Sequence, residues 1–449
     1  MFVFSKTVAR DLIKLAAPLA FVNFCNIGTF TVAMMVAGSF SVQELAALGF
    51  TLTLIVTTVV FLFMLMSAII PITANLKGAG DLPSELPSLL RSALVIASIL
   101  SIIAVIALTI LEALLPLIST SEEISSLVKQ YLRIAIWCVP LDLFACVIIN
   151  ISNGAGRTFW PAAVSAGAFI TMVLVTWLIA LGNAGFVAMG PAGIAYSLLF
   201  AVLTKFVLSI LLLLQADFRS LRFTSLTGSV EVPHLRRIFS VGFPIGLNEG
   251  SIQLFGAVLI IFIASMGVEQ LAVHNVAWNV FSLSHIFSLG FMTATSILVG
   301  QALGAGDLAG LKSVRRTSYY VVIMASFPML LALYFFRNEI AVAYSIDGDT
   351  KMLWLQICFC ILFLKLLDDA AQAGQGVLVG LERTRVVFLG RFVGVWVVAM
   401  PMGYALSAHY NLSGYWIGMA MGTALTLIWF VRAGSTYLAL QNPKLVAKE

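Results

Sequence analysis

The chain has 449 residues, of which 61% are hydrophobic and only 10% charged, against roughly a quarter charged in soluble domains. A chain of this composition needs lipid as its solvent, which sets soluble enzymes aside. Its net charge of +5 is explained by the sidedness of a membrane protein, so it does not call for a nucleic-acid partner.

Twelve spans are predicted, at residues 12–36, 46–75, 93–118, 126–150, 161–182, 192–214, 238–266, 271–302, 317–336, 352–378, 386–406 and 412–440. Each holds the ~20 apolar residues that cross a hydrocarbon core as helix. An even number of spans leaves both termini on one side. That side collects most of the basic residues, among them Lys6, Arg10, Lys77, Arg157, Arg219, Arg222, Arg383, Arg391, Lys444 and Lys448, while the other has only Lys129, Arg133, Arg337 and Lys351. The positive-inside rule then puts both termini in the cytoplasm of a multi-pass protein of the plasma (inner) membrane. The first segment runs into a full-length span without a small-residue cleavage site, so no removable signal is expected. The five cysteines all fall inside spans, where thiols serve as small apolar packing residues.

Sliding the sequence on itself by 226 residues brings Pro18 onto Pro244, Leu45-Ala46 onto Leu271-Ala272, and Gly78-Ala-Gly-Asp-Leu82 onto Gly304-Ala-Gly-Asp-Leu308. Asp142 falls on Asp368, and Gly154, Arg157 and Thr158 fall on Gly380, Arg383 and Thr384. One offset serving loops and helices alike marks a tandem duplication. Six spans per repeat insert in the same orientation, so the expected fold is an all-α polytopic membrane protein. Its two six-helix lobes, residues 1–214 and 235–449, would be related by a pseudo-two-fold axis along the membrane normal and joined by a cytoplasmic linker at 215–234. Such lobes should enclose a cleft suited to alternating access.

Charges inside spans cost about 2.5–3.5 kcal/mol each on insertion scales, so those that persist are candidates for an ion pathway. The clearest are Asp142 in the fourth span, Glu249 in the seventh, and Lys365, Asp368 and Asp369 in the tenth. Glu249 lies in Gly242-Phe-Pro-Ile-Gly-Leu-Asn-Glu-Gly250, where proline and glycines loosen the helix and free backbone carbonyls. With amide oxygens from Asn248 or Gln253, its carboxylate has the oxygen donors that a hard monovalent cation requires; a proton needs the carboxylate alone. The competing reading is a glutamate near a helix end that reaches water. Lys365 precedes Asp368 by three residues, on a shared helix face where the two can pair, and that pair could be structural only. Asp369 points about 100° away.

The first repeat has Asn23 where the second has Glu249, with Asn26 a turn further on, so the ionisable site is concentrated in the second repeat. Gln253, Gln372 and Asn279 are further cleft candidates, although His274, Asn275 and Asn279 also read as a satisfied helix-start cluster. The Gly-Ala-Gly-Asp loops lack the Gly-Lys-Ser/Thr ending of a nucleotide-binding loop, so neither an ATPase nor another enzyme is expected.

These features together, with the paired prolines, the repeated Gly-Ala-Gly-Asp loops and the Gly-x-x-Arg-Thr turns, resemble the multidrug and toxic compound extrusion (MATE) exporters over nearly the whole chain. The stretch Asp368-Asp-Ala-Ala-Gln372 to Gly380 is similar to the family's tenth helix, whose acid is implicated in cation coupling; Asp368 takes that position. One bacterial branch and the eukaryotic members carry a coupling glutamate about eight residues after the seventh-helix proline, where this chain has Ile252; Glu249 stands one turn earlier on a similar face. First-lobe polar anchors of many bacterial members are replaced here by Ala33, Met172 and Thr176.

The resemblance implies a secondary antiporter, acting as a monomer in the lipid bilayer, that exports amphipathic or cationic small molecules in exchange for Na⁺ or H⁺. Glu249 and Asp368 would hold the cation, as the only metal ligands, and no other cofactor is expected. A lipid-linked oligosaccharide flippase of the same wider superfamily and an uncoupled channel are the alternatives.

Overall fold

The computed structural model describes residues 4–118, 122–213, 228–344 and 346–440. Residues 215–227 of the expected linker, with Arg219 and Arg222, and the C-terminal Lys444 and Lys448 lie outside them.

The described residues are helical, with no strand among them. The first half comprises α1 (Lys6–Phe40), α2 (Val42–Met66), α3 (Ile69–Ala79), α4 (Leu82–Ile118), α5 (Glu122–Gly154), α6 (Phe159–Val175) and α7 (Pro191–Leu213). The second comprises α8 (Val232–Ala264), α9 (Val268–Gly304), α10 (Leu308–Phe335), the short α11 (Arg337–Ala343), α12 (Gly348–Gly380), α13 (Thr384–Phe392) and α14 (Met400–Leu440).

Eleven helical runs are long and apolar enough to cross a membrane. The last, Thr384–Ala439, has 56 residues. At about 1.5 Å per residue it is far too long for one crossing of a ~30 Å core. Asn411, at φ 50° and ψ −135°, breaks it between the two predicted spans. Twelve transmembrane helices result.

The duplication is visible in local geometry. Gly80 and Gly306 both end a helix with positive φ, 83° and 66°, a conformation that glycine adopts without a Cβ penalty. The amides of the following Asp81 and Asp307 bond back to the carbonyls of Leu76 and Ala302, each at 3.0 Å. The Asp307 carboxylate then caps the next helix, accepting from Gly310 N at 2.8 Å. At the second repeated turn, a Cβ on Gly154 would lie 2.5 Å from the Ile70 carbonyl oxygen, and one on Gly380 would lie 2.6 Å from that of Ser296. Both glycines are therefore demanded by helix–helix contact.

Contacts divide the chain into two compact units, Phe21–Gly246, and Met1–Ala20 with Leu247–Glu449. The divisions fall within α1 and α8, two residues after Pro18 and Pro244, where proline removes an intrahelical hydrogen bond. In the second of these units α12 packs extensively against α9 and α14. Its residues 368–380 are all buried, because Ala and Gly let neighbouring backbones approach closely. A cluster around Trp354, Tyr415, Trp416, Ile263 and Leu412 fills the other end of this unit.

Candidate functional site

Two adjacent acids on the most buried helix set up the site. Successive helical positions differ by about 100°, so Asp368 and Asp369 meet different neighbours. Asp368 Oδ2 lies 3.1 Å from His285 Nδ1 of α9. Its Oδ1 accepts from Arg391 Nη1 of α13 at 3.3 Å, and Arg391 Nη2 also donates to Gln375 Oε1 at 3.1 Å. His285 Nε2 lies 3.2 Å from Gln372 Nε2. Asp368, Gln372, Gln375 and Arg391 are all buried.

Asp369 is the partner of Lys365. The two form an ion pair one helical turn apart, with side chains 0% and 4% exposed, and Ser288 of α9 donates to the same carboxylate oxygen. Lys365 Nζ also donates to Ser288 Oγ at 2.8 Å. This corrects the Lys365–Asp368 pairing, since i,i+4 geometry and the Ser288 hydroxyl favour the other acid. A cavity of about 190 Å³ lies beside the trio, lined also by Ser284, Phe291 and Ser326.

Glu249 is half-buried on α8, in the same unit. Its Oε1 accepts from Asn248 Nδ2 at 2.9 Å, and Arg391, His285 and Asp368 are the charges within electrostatic range. Asn248 itself is buried, and its Oδ1 has no protein partner. The two acids thus differ in kind. Asp368 has an imidazole on one oxygen and a guanidinium on the other, whereas Glu249 receives one neutral amide. The carboxylate of Glu249 therefore has fewer contacts among the described residues than that of Asp368.

The remaining candidates lie elsewhere. Gln253 is exposed on α8. Asn279 is exposed on α9 and accepts from Tyr344 Oη at 2.9 Å, while the ring of buried His274 lies tilted against those of Trp278 and Trp416. Asn23, half-buried, and Asn26, exposed, belong to the unit Phe21–Gly246. So does Asp142, whose Oδ1 pairs with Lys205 Nζ of α7 at 2.6 Å.

Arg391 corrects the reading of the basic residues, because it is buried against Asp368 rather than lying among the basic residues outside the spans. Lys205 and His285 went unread altogether. The signal was present: Arg391 and Lys205 fall inside predicted spans, where a base is as costly as an acid, and His285 and Ser288 stand three residues apart on one helix face.

The MatE family model matches residues 18–178 and again 244–405, two matches that begin at the offset of the repeat. The chain is similar to the multidrug resistance protein MdtK of Cronobacter sakazakii, with 24% identity over 436 residues covering 94% of this chain and 95% of that protein. It is also similar to the multidrug resistance protein NorM of Photobacterium profundum, with 25% identity over 432 residues covering 93% of each. A crystal structure of the Vibrio cholerae MATE transporter VcmN in the bent form matches the fold with a TM-score of 0.86 at 16% identity, over 97% of this chain and 98% of that one. This multi-pass membrane protein belongs to the MatE family.

Proposed function

We propose that the chain is a secondary antiporter of the plasma (inner) membrane, exporting amphipathic or cationic small molecules, drugs among them, in exchange for inward Na⁺ or H⁺. The observation that carries this reading is the inequality of the two acids: Glu249 beside one amide, and Asp368 held by His285 and Arg391. Glu249 touches one neutral amide while Asp368 touches two basic side chains, so within the span Glu249 is the acid whose neutralisation by a cation gains most. Glu249 loads and releases the coupling cation. Asp368 couples to it through Arg391, because neutralising one acid leaves that guanidinium to the other.

Cation and substrate exclude each other when both draw on the same negative charge, which is the differential binding that alternating access needs. The protein acts as a monomer with both termini in the cytoplasm, as the basic residues outside the spans favour. It carries out no covalent chemistry. The names of the relatives favour an exporter over a flippase or an uncoupled channel.

The test is efflux of ethidium, an amphipathic cation, from vesicles containing the purified protein. A Na⁺ gradient and a pH gradient are imposed separately. Uphill efflux under one of the two gradients, and none without a gradient, is expected. Ethidium movement that never exceeds equilibration under either gradient would contradict coupling.

A further inference from the structure

A second cluster of ionisable groups stands apart from the coupling acids, in the unit Phe21–Gly246. His234, in the first turn of α8, is buried. Its Nε2 lies 2.9 Å from Glu85 Oε2 of α4 and 3.7 Å from Glu231 Oε2, which immediately precedes α8. One donor atom from each of the three falls within 4.8 Å of the others.

The backbone that presents Glu231 is fastened to the helix that presents Glu85. Arg91 Nε donates to the Ser229 carbonyl at 3.1 Å, and Ser92 Oγ donates to the Glu231 carbonyl at 3.4 Å.

Helix dipoles account for part of this arrangement. Glu85 lies in the first turn of α4 and Glu231 just before α8, where a carboxylate is favoured. They do not account for a buried imidazole drawn between two carboxylates. The three side chains bring one nitrogen and two carboxylate oxygens to a common point, and a dication there would balance both carboxylates.

We propose that Glu85, Glu231 and His234 form a binding site for one divalent transition-metal ion of the Zn²⁺ type. Metal–nitrogen and metal–oxygen bonds of about 2.0–2.2 Å place neighbouring donors about 3–3.5 Å apart, and the two observed spacings bracket that range. One imidazole with two carboxylates suits a first-row transition metal, whereas Mg²⁺ and Ca²⁺ prefer all-oxygen sites. The carboxylate side chains are 42% and 48% exposed, so water can reach the ion and complete its coordination. The bound ion would tie the start of α8, the helix that carries Glu249, to α4.

The experiment is a Zn²⁺ titration of the full-length protein in detergent, with any affinity tag removed, followed by calorimetry and by the melting temperature. The wild type is expected to bind one Zn²⁺ and to melt higher when loaded, with Mg²⁺ giving neither effect. Affinity should fall by about tenfold or more in His234→Gln and in Glu85→Gln and stay unchanged in Glu269→Gln, an acid in the first turn of α9. It should also weaken as the pH falls, because the proton competes for the imidazole. Glu85→Gln, at a partly exposed side chain, keeps the test open should His234→Gln fold poorly. Absence of saturable binding would overturn the site and leave a histidine–carboxylate contact only; Zn²⁺ binding that survives both substitutions would overturn it by placing the metal elsewhere.

Discussion

Asp142 and Asp368 occupy the same position of the two repeats, and their surroundings have diverged. Asp142 pairs with one lysine, Lys205, and the side chains of that pair are 26% and 17% exposed. Asp368 is 8% exposed and is held by His285 and Arg391, within electrostatic range of Glu249. Going back by one repeat from His285, Ser288, Lys365, Asp369, Gln375 and Arg391 reaches Val59, Leu62, Val139, Leu143, Ile149 and Ser165. The side chains that surround Asp368 in the second repeat are thus apolar at these positions of the first, apart from Ser165. The glycine and aspartate turns, by contrast, are retained in both, so backbone geometry was kept while the buried polar contacts diverged.

That contrast can be broken most severely at Arg391. Arg391→Met leaves Asp368 with one partner in a buried site, a change that costs about 3–5 kcal/mol when a buried pair loses a member. The expected result is a clear fall in melting temperature in detergent. A melting temperature equal to the wild type would mean that the guanidinium does not hold the acid.

Gly154→Ala and Gly380→Ala probe the shared scaffold. Each drives a methyl against a backbone carbonyl, Ile70 or Ser296, for an overpacking cost of about 1–3 kcal/mol. Thermal denaturation should show similar losses for the two, and a loss confined to one would break the equivalence of the turns. A smaller effect is expected two residues further on, where Gly156 at φ 75° corresponds to Glu382 at φ 58°. Gly156→Ala should cost about 1 kcal/mol through left-handed backbone alone. At the lower end, Asp142→Asn keeps the side-chain shape and a hydrogen-bonding oxygen beside Lys205 in a pair less buried than that of Asp368, so its melting temperature should fall less than that of Arg391→Met.

The fold was legible in the sequence because its determinants are local or repeated: apolar run length, the placement of basic residues and the single offset of 226 residues. Even the break at Asn411 fell between two predicted spans. The acids were legible too, since an acid within a span stands out. Their partners were harder to read. Which of Asp368 and Asp369 meets Lys365 depends on Ser288, which lies 77 residues from the lysine along the chain. Arg391 resembles a cytoplasmic anchor until α13 is seen to bury it against α12. Lys205 and His285 show that bases inside spans carry the same information as acids.

The central claim is that ion coupling belongs to the second repeat's network and starts at Glu249. Gradient-driven ethidium efflux by Glu249→Gln, compared with Asp142→Asn in matched vesicles, tests it most directly. The account predicts that Glu249→Gln loses uphill efflux while still binding ethidium, and that Asp142→Asn keeps it. Uphill efflux at the wild-type rate in Glu249→Gln, or its loss in Asp142→Asn alone, would contradict it.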